Sequence, residues 1–201
     1  MLLEKFIGRD ELDFETYIYD KAMKQDLIDF CAECNNAGLT NNSNFQKLKM
    51  GKWGEYERWF VVYHNNKIIS MSGAHRFTHM GENTFNVLYR LATLPEFRNS
   101  AHPHLTRRFA HDFGFGRMLP FAVEWALSKG ADTIVASVNS PDEVNDNTSS
   151  GKFYETCRKH LLSGRGPKSW FTLLEQNFNL YGTTQDIWEV KVKNVRTGEM
   201  I

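Results

Sequence analysis

Along this chain, stretches whose apolar residues recur every second position alternate with stretches where they recur every third or fourth. Residues 13–19 (DFETYIY) read as a first strand. Between 24 and 37, Leu27, Ile28, Cys31 and Cys34 share one face of a helix, and a second, weaker helix is expected over 44–50. WFVVY at 59–63 and KIISMSGA at 67–74 are strand-like, and the His-Asn-Asn between them suits a tight hairpin. In TFNVLYRLAT (84–93), Phe85, Val87, Tyr89 and Leu91 fall on one face at period two. An irregular stretch runs from there to about 113. The next helix is predicted over roughly 117–129, with Met118, Ala122 and Trp125 along one stripe. Pro120 falls in its first turn, where a missing N–H costs little, and Gly130 stands at the C′ position. TIVASV at 133–138 reads as a strand, and a helix is expected around 148–160. The apolar segment 169–176 is ambiguous, and strands are expected near 178–182 and 186–193.

This order is hairpin strands, then strand–helix–strand, then a helix and a final hairpin. It implies an α/β fold with a mixed, mostly antiparallel sheet of about six to seven strands flanked by helices. The unit 84–93, 117–129 and 133–138 should place its two strands parallel with a right-handed crossover. The loop-rich segments 35–44 and 138–151 are flanked by short apolar elements that need one another, so residues 1–201 are read as a single domain. A chain of this length buries a substantial core.

Composition narrows the function classes. Lys plus Arg equals Asp plus Glu at 24 each, so no net field draws the chain to nucleic acid, and none is expected as a partner. Apolar residues make up 41% and aromatics 13%, which does not suit a disordered chain. The apolar runs fall far short of the ~20 residues a membrane span needs. The start, MLLEKFIGRDELDFE, does not have the form of a signal peptide, and three cysteines are an odd count for a disulfide framework. A cytoplasmic setting is the expectation, with the oligomeric state open, a homodimer included.

The chemistry-bearing candidate is HDFGFGRMLP at 111–120. Backbone N–H groups in front of a helix favour an anion, and glycines let a ligand approach them. Taken alone, Gly114-x-Gly116 serves more often as turn punctuation. Cys31 and Cys34, without a second pair, read as core-facing thiols rather than zinc ligands. His102, His104, His111 and Asp112 match no metal-ligand spacing, so no metal is expected.

Three stretches together resemble the GNAT superfamily of acyl-CoA-dependent N-acyltransferases. YRLATLPEFR (89–98) is similar to that family's fourth strand and following loop. FGFGRMLPFAVEWALSKGADTIVASVN (113–139) resembles its pyrophosphate loop, helix and fifth strand. NTSSGKFY (147–154) is similar to its Asn-to-Tyr helix, with Asn147, Ser150, Phe153 and Tyr154 at relative spacings of zero, three, six and seven. The resemblance covers roughly residues 10–193. The chain departs from the pattern in three places: His111 stands where Arg or Gln is usual, residues 99–113 are inserted before the glycines, and Cys157-Arg158 replaces the usual Gly-Phe.

The resemblance implies a GNAT-like fold and acetyl-CoA, or another acyl-CoA, as co-substrate. The acyl group would pass directly to the amine of a small molecule or peptide in a ternary complex. The backbone at Leu91, Ala92 and Thr93 would hold the pantetheine arm. Gly114, Phe115, Gly116 and Arg117 would take the pyrophosphate, with the charge of Arg98 or Arg117 adding a charge-assisted bond. Asn139 and Asn147 would contact the cofactor, although Asn139 before Ser-Pro suits a plain turn equally well. Tyr154 would serve the departing sulfur as acid. His75 and His79 are candidate bases, with solvent as another, and an ordinary surface or loop histidine is the competing reading for either. A non-catalytic acyl-CoA-binding module is the alternative function.

Overall fold

A computed structural model describes residues 1–7, 12–37, 55–97, 113, 117–139, 169–180 and 183–192. The expected helices at 44–50 and 148–160 lie outside these residues. The described elements build one eight-stranded sheet in the order β1-β2-β3-β4-β5-β6-β8-β7. The strands are β1 (Leu2–Ile7), β2 (Asp13–Ile18), β3 (Glu57–His64), β4 (Lys67–Arg76), β5 (Thr84–Thr93), β6 (Thr133–Asn139), β7 (Ser169–Leu180) and β8 (Thr183–Val192). The helices are α1 (Lys24–Asn36) and α2 (Leu119–Ser128). All neighbouring strands are antiparallel except β5 and β6, which run parallel as the strand–helix–strand reading requires.

The sheet exceeds the six to seven strands expected because of β1. LLEKFI lacks a clean period of two, and its Glu4 and Lys5 disguise a strand. Those charges face partners: Thr16 donates to Glu4 at 3.1 Å, and Lys5 pairs with Glu15. The ambiguous 169–176 segment and the strand expected at 178–182 are one strand, β7. It is broken in register between Leu173 and Glu175 and again between Glu175 and Phe178. Those irregularities erase the alternation that would have marked it.

The middle of the sheet is covered on both faces. Trp59–Val62 of β3 and Ile68–Ala74 of β4 are continuously buried. This is the pattern of a two-sided core rather than of a half-exposed strand. The Tyr63 hydroxyl donates to Asp26 of α1 at 2.6 Å, whereas the Arg58 guanidinium lies 6.0 Å from the centroid of the Trp125 ring of α2. Positions 58 and 63 of β3 differ in parity, so α1 and α2 pack on opposite faces. On α1 the buried stripe is Leu27, Phe30, Cys31 and Cys34. Ile28, expected on that face, is 37% exposed, because Phe30 supplies the bulk that fills the helix–sheet gap. On α2, Leu119, Ala122, Val123 and Ala126 are buried, with Met118 just ahead and Trp125 at the margin.

The β3–β4 hairpin turns on Asn65 and Asn66, with φ of +48° and +59°. Two left-handed residues match the right-handed twist of the flanking strands, and Asn tolerates that region better than most. Gly130 after α2 has φ +82°, as its predicted C′ position requires.

Gly73 marks the tightest approach in the sheet. A Cβ there would meet the Trp59 ring at 2.9–3.0 Å, and that ring is buried. Gly73→Ala should therefore destabilise the fold by about 1–3 kcal/mol through overpacking, measured by urea denaturation. A midpoint equal to wild type would show that Trp59 moves aside without cost.

Candidate active site

The parallel ladder between β5 and β6 is short. Only Thr84↔Thr133, Phe85↔Ile134 and Asn86↔Val135 pair, although β5 runs on to Thr93 and β6 to Asn139. Where the backbones part, side chains take over. Asn86 Nδ2 donates to Ser137 Oγ at 2.6 Å, and the Ser137 N–H donates to Asn86 Oδ1 at 3.3 Å. Asn86 is buried. Its amide satisfies polar groups that the lost ladder would otherwise leave bare.

Past Asn86, β5 keeps its pairing to β4 through two irregularities. Gly73 faces Tyr89 and His75 faces Asn86, so three steps on β5 match two on β4. The same mismatch recurs between Met71↔Ala92 and Gly73↔Tyr89. Leu88 and Arg90 absorb the extra residues with φ of +58° and +51°. Two non-glycine residues in the left-handed region within one strand are an uncommon strain. The bulges also correct the expected face. Phe85 packs on Trp125 of α2, at 5.6 Å between rings, whereas Tyr89 turns to the opposite face beside His75, at 4.6 Å. A strict period of two would have kept them together.

The register thus sets Glu57, His75, Asn86 and Ser137 in a row across four strands on one face, where β5 and β6 separate. Trp59 donates from Nε1 to Glu57 Oε1 at 2.8 Å and packs 5.8 Å from Tyr89. His75 Nδ1 lies 2.8 Å from the Arg76 carbonyl oxygen. A carbonyl only accepts, so Nδ1 carries the proton and Nε2 keeps its lone pair. Burial holds the His75 pKa below its ordinary value, against the opposing Arg76 carbonyl and the Glu57 charge. The imidazole is neutral at neutral pH, the form a base needs.

Helix α2 covers the other face of the sheet. Trp125 in its second half rests on Phe85 at the start of β5, and Arg117, just ahead of its first turn, reaches Glu4 and Phe6 of β1. Arg117 and Met118 lead into it with π-helical winding, common at functional sites.

A β5 and β6 that part after a short parallel ladder, a bulged β5 and an α2 crossing over between them make a recognisable whole. The chain has the GNAT fold. It aligns over 92% of its length with 96% of the GNAT domain of S. lividans PAT, at a TM-score of 0.57 and 10% identity. It aligns over 89% with 98% of an acetyltransferase from Streptococcus agalactiae 2603, at 0.52 and 14% identity. It also aligns over 88% with 96% of the aminoglycoside 6'-N-acetyltransferase from Enterococcus faecium, at 0.51 and 14% identity. No protein-family model matches the sequence, and no curated protein sequence matches it.

Within this GNAT fold, the sequence-predicted residues divide between the opening and its surroundings. His75 stands at the parting. Leu91, Ala92 and Thr93 end β5, where Ala92 and Thr93 pair with Met71 and Ser70 of β4. The Ala92 carbonyl accepts from Ser70 Oγ at 3.0 Å. Arg117 precedes α2, but its guanidinium is 3.3 Å from Glu4 Oε2 and 4.1 Å from the centroid of the Phe6 ring. Its side chain thus ties α2 to β1. Asn139 is the last residue of β6, opposite Gln185, rather than just beyond the strand. Arg98, Gly114, Phe115, Gly116, Asn147 and Tyr154 lie outside the described residues. Among the described residues, no three His, Cys, Asp or Glu side chains gather to hold a metal. No helix there is long and apolar enough to cross a membrane.

Sequence reasoning missed Glu57, Asn86, Tyr89 and Ser137. The available signal was a polar Asn inside a strand predicted to pair in parallel, since such strands are buried on both faces.

The depressed pKa of His75 has a definite stability consequence. The folded state resists protonating this ring, so the unfolded chain binds more protons once pH drops below the ordinary histidine value. Stability should be complete above about 6.5, the unfolded value, and fall as pH drops toward the folded pKa. His75→Gln should flatten that slope in denaturation curves. An NMR titration of His75 with a midpoint at or above the ordinary value would remove the basis for a neutral base.

Proposed function

We propose that this protein transfers an acetyl group from acetyl-CoA to the amine of a small molecule or peptide. The observation that carries this reading is the internal edge of β5, which β6 leaves after Asn86 while β5 runs on to Thr93. An opened strand edge suits an extended amide-containing arm laid alongside as an added strand. Pantetheine has that character, with Leu91, Ala92 and Thr93 as its partners. The loop Gly114–Arg117 would supply N–H groups to the pyrophosphate, helped by the helix dipole and by the charge of Arg98. Asn139 and Asn147 are assigned to the cofactor side. The fold likeness to acetyltransferases supports the reading at the level of architecture.

On this reading the acyl carbon lies near the row His75–Asn86–Ser137. His75 Nε2 takes a proton from the acceptor ammonium, leaving the nitrogen lone pair free to attack the thioester carbonyl. The C–N bond forms and the carbonyl oxygen takes up negative charge. Collapse breaks the C–S bond, the departing thiolate receives a proton from the Tyr154 hydroxyl, and the excess proton on the attacking nitrogen passes to solvent, from which Tyr154 is reprotonated. Glu57, next to His75 in the row, favours the imidazolium that forms after proton uptake. No covalent acyl-enzyme is required, since nucleophile and thioester meet in one ternary complex.

The test joins acetyl-CoA calorimetry with a CoA-release assay over polyamines, amino acids, aminoglycosides and peptide N-termini. Tyr154→Phe should lower turnover by ~10- to 1,000-fold, the scale of general-acid loss, with acetyl-CoA affinity nearly unchanged. Gly116→Asp should abolish binding while leaving the fold intact, because a carboxylate repels the pyrophosphate and a Cβ crowds it. Tight binding without acylation of any amine would favour a non-catalytic acyl-CoA-binding module. No binding by wild type would refute both.

A further inference from the structure

On the α2 face of the sheet, two arginines stand together with no acid among the described residues to neutralise them. Arg58 of β3 is in register with Ala74 of β4, and Arg76 lies two residues further along β4. That makes the arginines diagonal neighbours on one face, within mutual reach of long side chains. Neither forms an ion pair with a described residue. Arg76 Nε donates to the Glu82 carbonyl, which anchors the side chain without cancelling its charge. Each guanidinium faces an aromatic ring: Arg76 sits 4.6 Å from the centroid of Tyr56, and Arg58 6.0 Å from that of Trp125. Phe85 bridges the two rings, 6.5 Å from Tyr56 and 5.6 Å from Trp125. The five side chains form a loop, two cations joined through three aromatic rings and closed by the diagonal across β3 and β4.

Two donors inside this loop have no acceptor among the described residues. Arg58 Nε and Trp125 Nε1 are both buried and make no hydrogen bond there. Both atoms can only donate. Leaving one buried donor bare costs about 1–3 kcal/mol, and here two belong to neighbouring side chains, the Arg58 guanidinium lying 6.0 Å from the centroid of the Trp125 ring. Lys129, just past α2, adds a third cation, its described partner being the exposed Glu55 at 3.9 Å. Bare donors, converging positive charge and flat apolar walls all lack the same thing: an oxygen-bearing anion.

We propose that Arg58, Arg76 and Trp125 form a binding site for an oxyanion, the phosphate or carboxylate group of a small ligand, walled by Tyr56 and Phe85. It is separate from the opening between β5 and β6. Phe85 and Trp125 place it at the start of β5 and toward the C-terminus of α2, whereas the proposed acyl-CoA site lies at the far ends of both elements. The site stands or falls independently of acetyl transfer.

The experiment monitors the Trp125 indole N–H in ¹⁵N–¹H spectra, assigned with Trp125→Phe. The protein carries Gly116→Asp so that phosphate cannot act through the glycine loop. Sodium phosphate and sodium succinate are titrated separately, at ionic strength matched with sodium chloride. The Trp125 resonance should move saturably with at least one of them and not with chloride. A response to phosphate marks a phosphorylated ligand, and one to succinate a carboxylate. Arg58→Gln and Arg76→Gln should each raise the titration midpoint at least about tenfold, the loss expected for one charged hydrogen bond. An unmoved resonance with both anions overturns the proposal, as does an equal midpoint in wild type and a folded arginine variant. If Arg58→Gln fails to fold, Arg76→Gln decides.

Discussion

A single asparagine holds the sheet open. Asn86 is the last residue of β5 to pair with β6, and its side-chain amide then grips Ser137 from both sides of the amide, donating to the hydroxyl and accepting from the backbone N–H. Without such a plug, two parting parallel strands would leave buried N–H and C=O groups bare, each at a cost comparable to a lost hydrogen bond. With it, β6 is free to accompany β8, to which Val135–Asn139 pair without a break. The gap in the middle of the sheet is thus a satisfied structure. Two features of the candidate site depend on it: the unpaired edge of β5 beyond Asn86 and the polar row from His75 to Ser137.

The second constraint is the close approach between Trp59 and Gly73. Because Gly73 has no side chain, a buried indole can lie flat on β4, with Tyr89 beside it. The indole N–H then reaches Glu57, which stands opposite His75. The same glycine is the partner of Tyr89, the residue flanked by both bulges. Packing and register therefore converge on one cross-strand position. The polar row is held by a rigid aromatic floor rather than by loops, as precise placement of a reacting group requires.

The elements with strong periodicity were legible in the sequence. β3, β4, β6 and both described helices stand where their apolar spacing puts them, because burial of a regular stripe is what stabilises them. Pro120 and Gly130 bounded α2 for conformational reasons alone. β1 was hidden, since its charges are used in contacts with Thr16, Glu15 and Arg117 that only the folded sheet creates. The orientation of Tyr89 was hidden because a bulge is a property of two strands together. His75 was visible as a candidate but not its companions. Asn86 carried a signal, a polar residue in a strand predicted to pair in parallel, but its partner Ser137 is set by where β5 and β6 part, which only the folded sheet shows. Arg117 shows the reverse case: a charge next to a glycine loop suggests a ligand, while the fold joins it to Glu4 and Phe6.

The two bulges of β5 also bear on how this chain tolerates changes of length. Between Asn86 and Ala92 the strand carries two residues more than β4 needs, and each turns the remainder of the strand by a half-step. Deleting one residue between Asn86 and Tyr89, or one between Tyr89 and Ala92, would leave two steps facing two, so the later residue would keep its β4 partner and only the bulge would be lost. An evenly paired strand has no such reserve, since there a deletion moves every later side chain to the other face. The 99–113 insertion, absent from the motif the sequence resembles, falls beyond the end of β5 at Thr93.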